Sequence, residues 1–121
     1  MGRQKKILIV EDETIFATSM QRVLIKSGYD VLEPVSTGEE AVKIAKEEKP
    51  DLVIMDVMLE GEIDGIEAAT DIRSLQDIPI VFISGYQDKK LLDRAKAVGS
   101  SIYLVKPIKP LDLESAIKQV L

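Results

Sequence analysis

Histidine and cysteine are both absent from this 121-residue chain. Without histidine there can be no imidazole acid–base catalysis, no Ser-His-Asp triad and no His-ligated zinc. Without cysteine there is neither a disulfide framework nor a thiolate metal site, a composition that suits a reducing compartment. Also missing is any apolar run near the roughly 18 residues that cross a bilayer, and any signal-peptide pattern. The expectation is a soluble, cytoplasmic protein with no membrane contact. The formal net charge is −5, which argues mildly against phosphate contact, since that needs a clustered basic surface, and no direct nucleic-acid binding is expected. Any chemistry must therefore come from carboxylates, hydroxyls and lysine. The length suits one domain, residues 1–121, which would bury roughly two-thirds of its unfolded area without staples.

What is present is a set of short apolar runs that stop on polar residues. Leu52-Val53-Ile54-Met55 ends at Asp56, and Ile7-Leu8-Ile9-Val10 ends at Glu11-Asp12-Glu13. Ile80-Val81-Phe82-Ile83 ends at Ser84, and Ile102-Tyr103-Leu104-Val105 ends at Lys106-Pro107. Continuous apolar runs of this length predict strands buried on both faces of a parallel sheet. Tyr29 to Val35 predicts a shorter strand, with Pro34 marking an edge or an end.

Between the strands the apolar spacing becomes helical. Phe16, Met20, Val23 and Leu24 share one face, and Gly28 is placed for a left-handed stop. Thr37 with Glu40 has the form of a capping box ahead of Ala41, Ile44 and Ala45. Asp64 can cap a helix with Ile66, Ala69 and Ile72 inside. Leu91, Leu92, Ala95 and Val98 mark a fourth helix, and Leu113, Ala116, Ile117 and Val120 a fifth. Five strand–helix alternations with right-handed crossovers give an α/β, flavodoxin-like, doubly wound five-stranded parallel sheet with five helices. Strand order 2-1-3-4-5 is one common solution.

In that order the carboxyl ends of the strands gather Glu11, Asp12, Asp56, Ser84 and Lys106 along one edge. Taken singly, each has an ordinary explanation: Asp56 or Ser84 as a turn cap, the first acids as partners of a helix dipole, Lys106 as solvated surface. Together they are costly. Two carboxylates about 4 Å apart repel by roughly 4 kcal/mol at an effective dielectric near 20. Either they protonate or a hard divalent cation sits among them, and oxygen-only ligands favour Mg2+, Mn2+ or Ca2+ over zinc. A cation beside a carboxylate, a lysine and a hydroxyl is equipment for phosphoryl transfer, with the carboxylate as nucleophile.

These motifs resemble the receiver domain of the two-component response-regulator family. The likeness covers essentially the whole chain: Glu11-Asp12, Asp56, Asp64-Gly65-Ile66-Glu67-Ala68, Ser84-Gly85 and Lys106-Pro107, in order and each at the expected place. The resemblance implies that Asp56 is the phosphoacceptor, served by a phosphohistidine on a sensor histidine kinase or phosphotransfer protein. It implies Mg2+ (Mn2+ as a substitute) bound by Asp12, Asp56 and the backbone carbonyl of Met58, with Glu11 acting through water. Lys106 would pair with the phosphoryl group, and Lys106-Pro107 would be a cis peptide. Ser84 and Tyr103 match the family's switch pair, which would reshape the face of helix four, strand five and helix five for a downstream protein or a homodimer. Its only catalysis would be its own phosphorylation and dephosphorylation. With no effector following the fifth helix, the chain reads as a stand-alone receiver or as one cut from a larger regulator or hybrid kinase.

The loop after Asp56 departs from the family pattern. Glu60 stands where proline is common, and the spacing to Gly65 is one residue longer. Gly61 and the added acids predict a more mobile, more negative loop. Met58 and Tyr86 match positions that tune acyl-phosphate lifetime in the family, and since both are bulky the resemblance implies a long-lived phosphoryl state through restricted attacking water. A haloacid-dehalogenase-type phosphatase would want a second Asp where Met58 stands. A flavodoxin-like cofactor binder would be repelled by Glu11-Asp12-Glu13, and a degenerate receiver would lack the intact Asp56, Asp12 and Lys106.

Overall fold

Parallel pairing in strict register builds the sheet. Ile7, Leu8, Ile9 and Val10 face Leu52, Val53, Ile54 and Met55, and Val53 to Asp56 in turn face Ile80 to Ile83. The computed structural model describes residues 4–85 and 89–121. Its elements are β1 (Lys6–Val10), α1 (Thr14–Lys26), β2 (Asp30–Val31), α2 (Gly38–Glu48) and β3 (Leu52–Asp56), then α3 (Gly65–Leu75), β4 (Ile80–Ser84), α4 (Lys89–Val98), β5 (Ser101–Val105) and α5 (Pro110–Val120). The strand order is β2-β1-β3-β4-β5, as the alternation predicts.

The period-two geometry of a strand explains why one sheet has two cores. Leu8, Val10, Val53, Met55, Ile80 and Phe82 face the α2–α3–α4 layer, where Ala41, Ala45, Ala69, Ile72 and Ala95 close over them. Ile7, Ile9, Leu52, Ile54, Val81 and Ile83 face α1 and α5, where Met20, Leu24, Leu113 and Ile117 complete the packing. β3 and β4 are buried at every residue, which is why they read as unbroken apolar runs.

The helix ends carry the expected chemistry, with two differences. α1 stops in a Schellman arrangement: Gly28 has φ +95°, its N–H reaches Ile25 O at 3.0 Å, and Tyr29 N–H reaches Leu24 O at 3.1 Å. Asp64 and Glu67 form a reciprocal capping box on α3. At α2 the box is only half made: Glu40 N–H donates to Thr37 Oγ1 at 3.2 Å, while the Glu40 carboxylate turns to the Thr37 hydroxyl at 3.4 Å. β2 is also shorter than predicted, spanning Asp30–Val31, and touches the sheet again only through a bridge from Val35 to Val10. Exposed Glu33 and half-buried Pro34 sit between the two contacts, and proline has no N–H to donate to a ladder.

Candidate functional site at the carboxyl ends of the strands

Asp56 is the last residue of β3, flanked in the sheet by β1 and β4, so its carboxylate emerges where three strands end together. It is buried, with 6 % of its side chain exposed, and Oδ1 accepts the Met58 N–H at 3.1 Å. The local path is tightly fixed. Gly65 N–H bonds Val57 O at 2.9 Å, and a Cβ on Gly65 would fall 1.9 Å from the Asp56 carbonyl oxygen. Only glycine allows α3 to begin so close beneath β3.

Glu11 and Asp12 follow β1, and carboxylate oxygens of Glu11, Asp12 and Asp56 lie within 4.8 Å of one another. Glu11 is fully buried at its side chain and Asp12 half-buried. From β5, Lys106 reaches back over this cluster, its Nζ 3.0 Å from Glu11 Oε1, 3.6 Å from Asp56 Oδ2 and 4.0 Å from Glu13 Oε2. The Phe16 ring of α1 lies beneath the ammonium at 4.8 Å, a cation–π contact that also shields the pair from water. Lys106 N–H is anchored to Ser84 O at 2.7 Å, and Lys106-Pro107 is cis, as the resemblance implies.

The electrostatics follow from three acids sharing one base. Burial, and then the hydrogen bond with Asp56, push the Glu11 carboxyl up to about 7, against the opposing pull of Lys106 and of the Glu13 N–H on Oε2. For Lys106, burial works against the charge. The Glu11 hydrogen bond and the fields of Asp56, Glu11 and Glu13 outweigh it, so its pKa is raised above the usual lysine value. A proton on Glu11 is the pocket's own answer to excess negative charge. An oxygen-ligated divalent cation is the other answer, and this donor set fits one.

The remaining predicted residues fall near the site without all entering it. Ser84 is fully buried at the end of β4, next to the strand that carries Asp56. Tyr103 lies half-buried against the α4-side core, its ring centroid 6.5 Å from that of Phe82. Met58, two residues after Asp56, is 53 % exposed, so the chain leaves the core immediately after Val57. Tyr86 lies outside the described residues.

Two contributions were not anticipated from the sequence. Phe16 reads there as an ordinary inward residue of α1, whereas it also serves as the floor under Lys106. Glu39 reads as one acid of α2's first turn, yet its carboxylate holds the loop after Asp56 at Glu62 and Ile63. That loop, predicted loose, is also bridged to Thr37 through Glu60.

Comparison with known proteins agrees with this geometry. The family model described as the response regulator receiver domain matches residues 7–118. The transcriptional regulatory protein PdtaR of Mycobacterium tuberculosis is 40 % identical over 94 % of this chain and 55 % of its own length. The alkaline phosphatase synthesis transcriptional regulatory protein PhoP of Bacillus subtilis is 38 % identical over 97 % of this chain and 48 % of its own. The chain thus spans about half the length of these curated relatives. Among solved structures, the signal receiver domain of a modulated diguanylate cyclase from Desulfovibrio desulfuricans superimposes with a TM-score of 0.89 at 37 % identity, over 97 % of this chain and 93 % of that one. A CheY-like receiver domain from Methanospirillum hungatei gives a TM-score of 0.90 at 28 % identity, over 96 % and 92 %. Among the described residues no helix is long and apolar enough to cross a membrane. On its sequence, its fold and its gathered carboxylates, the chain belongs to the receiver domain family of two-component response regulators.

Proposed function

We propose that residues 1–121 form a single phosphorylation-switched receiver in which Asp56 is the phosphoacceptor. The observation that carries this is the buried Asp56 carboxylate, close to Glu11 and Asp12 and faced by Lys106 at 3.6 Å. Receiver domains in general bind Mg2+ at an acidic pocket and act with histidine kinases and output domains. Here Asp12, Asp56 and the Met58 carbonyl would hold the ion, with Glu11 acting through water, and Mn2+ could replace it. Once bound, the ion would offset the charge on the phosphoryl oxygens.

The chain's own groups do the rest. An Asp56 oxygen attacks phosphorus of the partner's phosphohistidine, the O–P bond forms as the P–N bond breaks, and the imidazole leaves with a proton from solvent. Lys106 leaves its Glu11 partner and pairs with the transferred group, and the Ser84 hydroxyl donates to one of its oxygens. Tyr103 then repacks, altering the α4–β5–α5 face that a downstream protein or a second copy would read. The only chemistry assigned is self-phosphorylation and self-dephosphorylation, and the setting is cytoplasmic. Since the relatives run to about twice this length, the output belongs either to a separate partner or to a further domain of a larger regulator.

The test is incubation with acetyl phosphate and Mg2+ followed by intact-mass measurement. One added phosphoryl group is expected, absent from Asp56→Ala and absent with chelator. No adduct on the unaltered chain under any condition would falsify the phosphoacceptor assignment.

A further inference from the structure

Glu39 stands outside the carboxylate cluster, in the first turn of α2, and its carboxylate is directed at the loop that follows Asp56. Its Oε1 accepts the backbone N–H groups of Glu62 at 3.2 Å and Ile63 at 3.1 Å. Gly61 has φ +103°, and a Cβ there would lie 2.8 Å from Glu39 Oε2, so a side chain at this position would strain the backbone and push on the carboxylate. Beside this contact Thr37 bridges Glu60, and Ile63 presses on Gly38, where a Cβ would lie 2.7 Å from Ile63 Cγ1. The far ends of the same segment are fixed at Met58, whose N–H is on Asp56 Oδ1, and at Asp64, which caps α3.

A carboxylate suits this position for two physical reasons. Two N–H groups converging on one oxygen are better served by an anion than by a neutral acceptor. The amino end of α2 also favours a negative charge in its first turn. Within Glu60-Gly61-Glu62 the charges repel and the glycine is permissive, so the Glu39 grip adds to the Thr37 bridge and the Ile63–Gly38 contact in ordering the segment.

We infer that Glu39 is a positioning residue for the Asp56 site: by holding the Glu62 and Ile63 N–H groups it fixes the far side of the loop that begins at Met58, and so steadies the Met58 carbonyl toward a divalent cation. The role rests on the metal reading proposed above, while the grip itself can be measured with no metal present. Three variants separate the possibilities. Glu39→Ala removes the acceptor, Glu39→Gln retains a carbonyl oxygen, and Gly61→Ala both pushes on the carboxylate from the opposite side and strains the left-handed backbone of the loop itself, so it perturbs the loop without relying on Glu39 alone.

In metal-free protein, amide hydrogen exchange at Glu62 and Ile63 should quicken about tenfold in Glu39→Ala and stay within about threefold in Glu39→Gln. In calorimetric titration with Mg2+, Kd should rise about three- to tenfold in Glu39→Ala and Gly61→Ala, and stay within about twofold in Glu39→Gln. Phosphorylation by acetyl phosphate at saturating Mg2+ should recover to within about twofold in all three, since a residue acting only through cation binding shifts KM for the metal and spares kcat. Unchanged exchange in Glu39→Ala overturns the grip. Faster exchange with unchanged Mg2+ affinity overturns the positioning role. If the unaltered chain binds no Mg2+, the metal reading falls and the positioning role with it, while the exchange data still decide whether the grip exists.

Discussion

Glu11 should make the metal-free protein less stable as the solution turns from acid to neutral. In the unfolded chain its carboxyl has the ordinary value of 4.5, whereas in the fold burial and Asp56 raise it to about 7. Between those values the folded state holds a proton that the unfolded state has lost, so unfolding releases protons and stability falls as pH rises. The contribution is fully present below about 4.5 and gone once pH passes about 7. A shift of this size corresponds to roughly 3 kcal/mol at about 1.4 kcal/mol per pH unit, an upper figure because the cluster shares its protons. For a chain of this length that is about 12 °C in Tm. Lys106 does not confound the window, since its raised pKa adds stability that is lost only in strongly alkaline solution. The assay is urea denaturation with chelator from pH 4.5 to 8, followed by far-ultraviolet circular dichroism because the chain has no tryptophan. Glu11→Gln serves as the reference, and the difference between the two profiles isolates this group. A parallel pair of profiles would refute the reasoning, as would a difference that favours the unaltered chain at neutral pH.

Three further outcomes follow from distances already given. Gly65→Ala drives a Cβ to 1.9 Å from the Asp56 carbonyl oxygen; we expect a loss of about 3 kcal/mol or more in urea denaturation, and a loss below about 1 kcal/mol would contradict the fit. Asp64→Ala removes both the α3 cap and the 2.9 Å ion pair with Arg94; about 1 kcal/mol should go with the cap, whereas Asp64→Asn should keep most of it because an exposed pair contributes little. Lys106→Met should slow phosphorylation by acetyl phosphate about 100-fold, since it removes the cation facing the transferred group. The same variant should bind Mg2+ more tightly in calorimetry, because a positive neighbour of the metal is gone; weaker binding would show that Lys106 organises the carboxylates instead.

Much of this was legible in the sequence because buried parallel strands leave long apolar runs, and the residue that ends each run must lie on one edge of the sheet. Asp56, Glu11, Asp12 and Lys106 were accessible by that reasoning alone. What escaped it depends on which acid meets which base, a matter of side-chain reach across the fold. Lys106 lies closer to Glu11 than to Asp56, a preference that linear spacing does not reveal. Phe16 and Glu39 escaped for a related reason: each satisfies an ordinary helical role, so nothing in the pattern marks its second contact. The length of β2 was overestimated because β-branched residues suggest a strand, while pairing is decided by where the chain turns away at Glu33 and Pro34.

The contact between Lys106 and Glu11 joins residues 95 positions apart, from the first strand to the end of the fifth. Such a contact can form only once chain segments from both ends of the sequence have been brought together. Until β5 docks beside β4, three clustered acids would face one another without Lys106, the cation that meets them among the described residues. Lys106 is therefore also a reporter of complete folding, because a chain lacking its last strand would keep the clustered carboxylates without the ammonium that answers them. Under the proposed function, competence to receive a signal would then itself be proof that the sheet has closed.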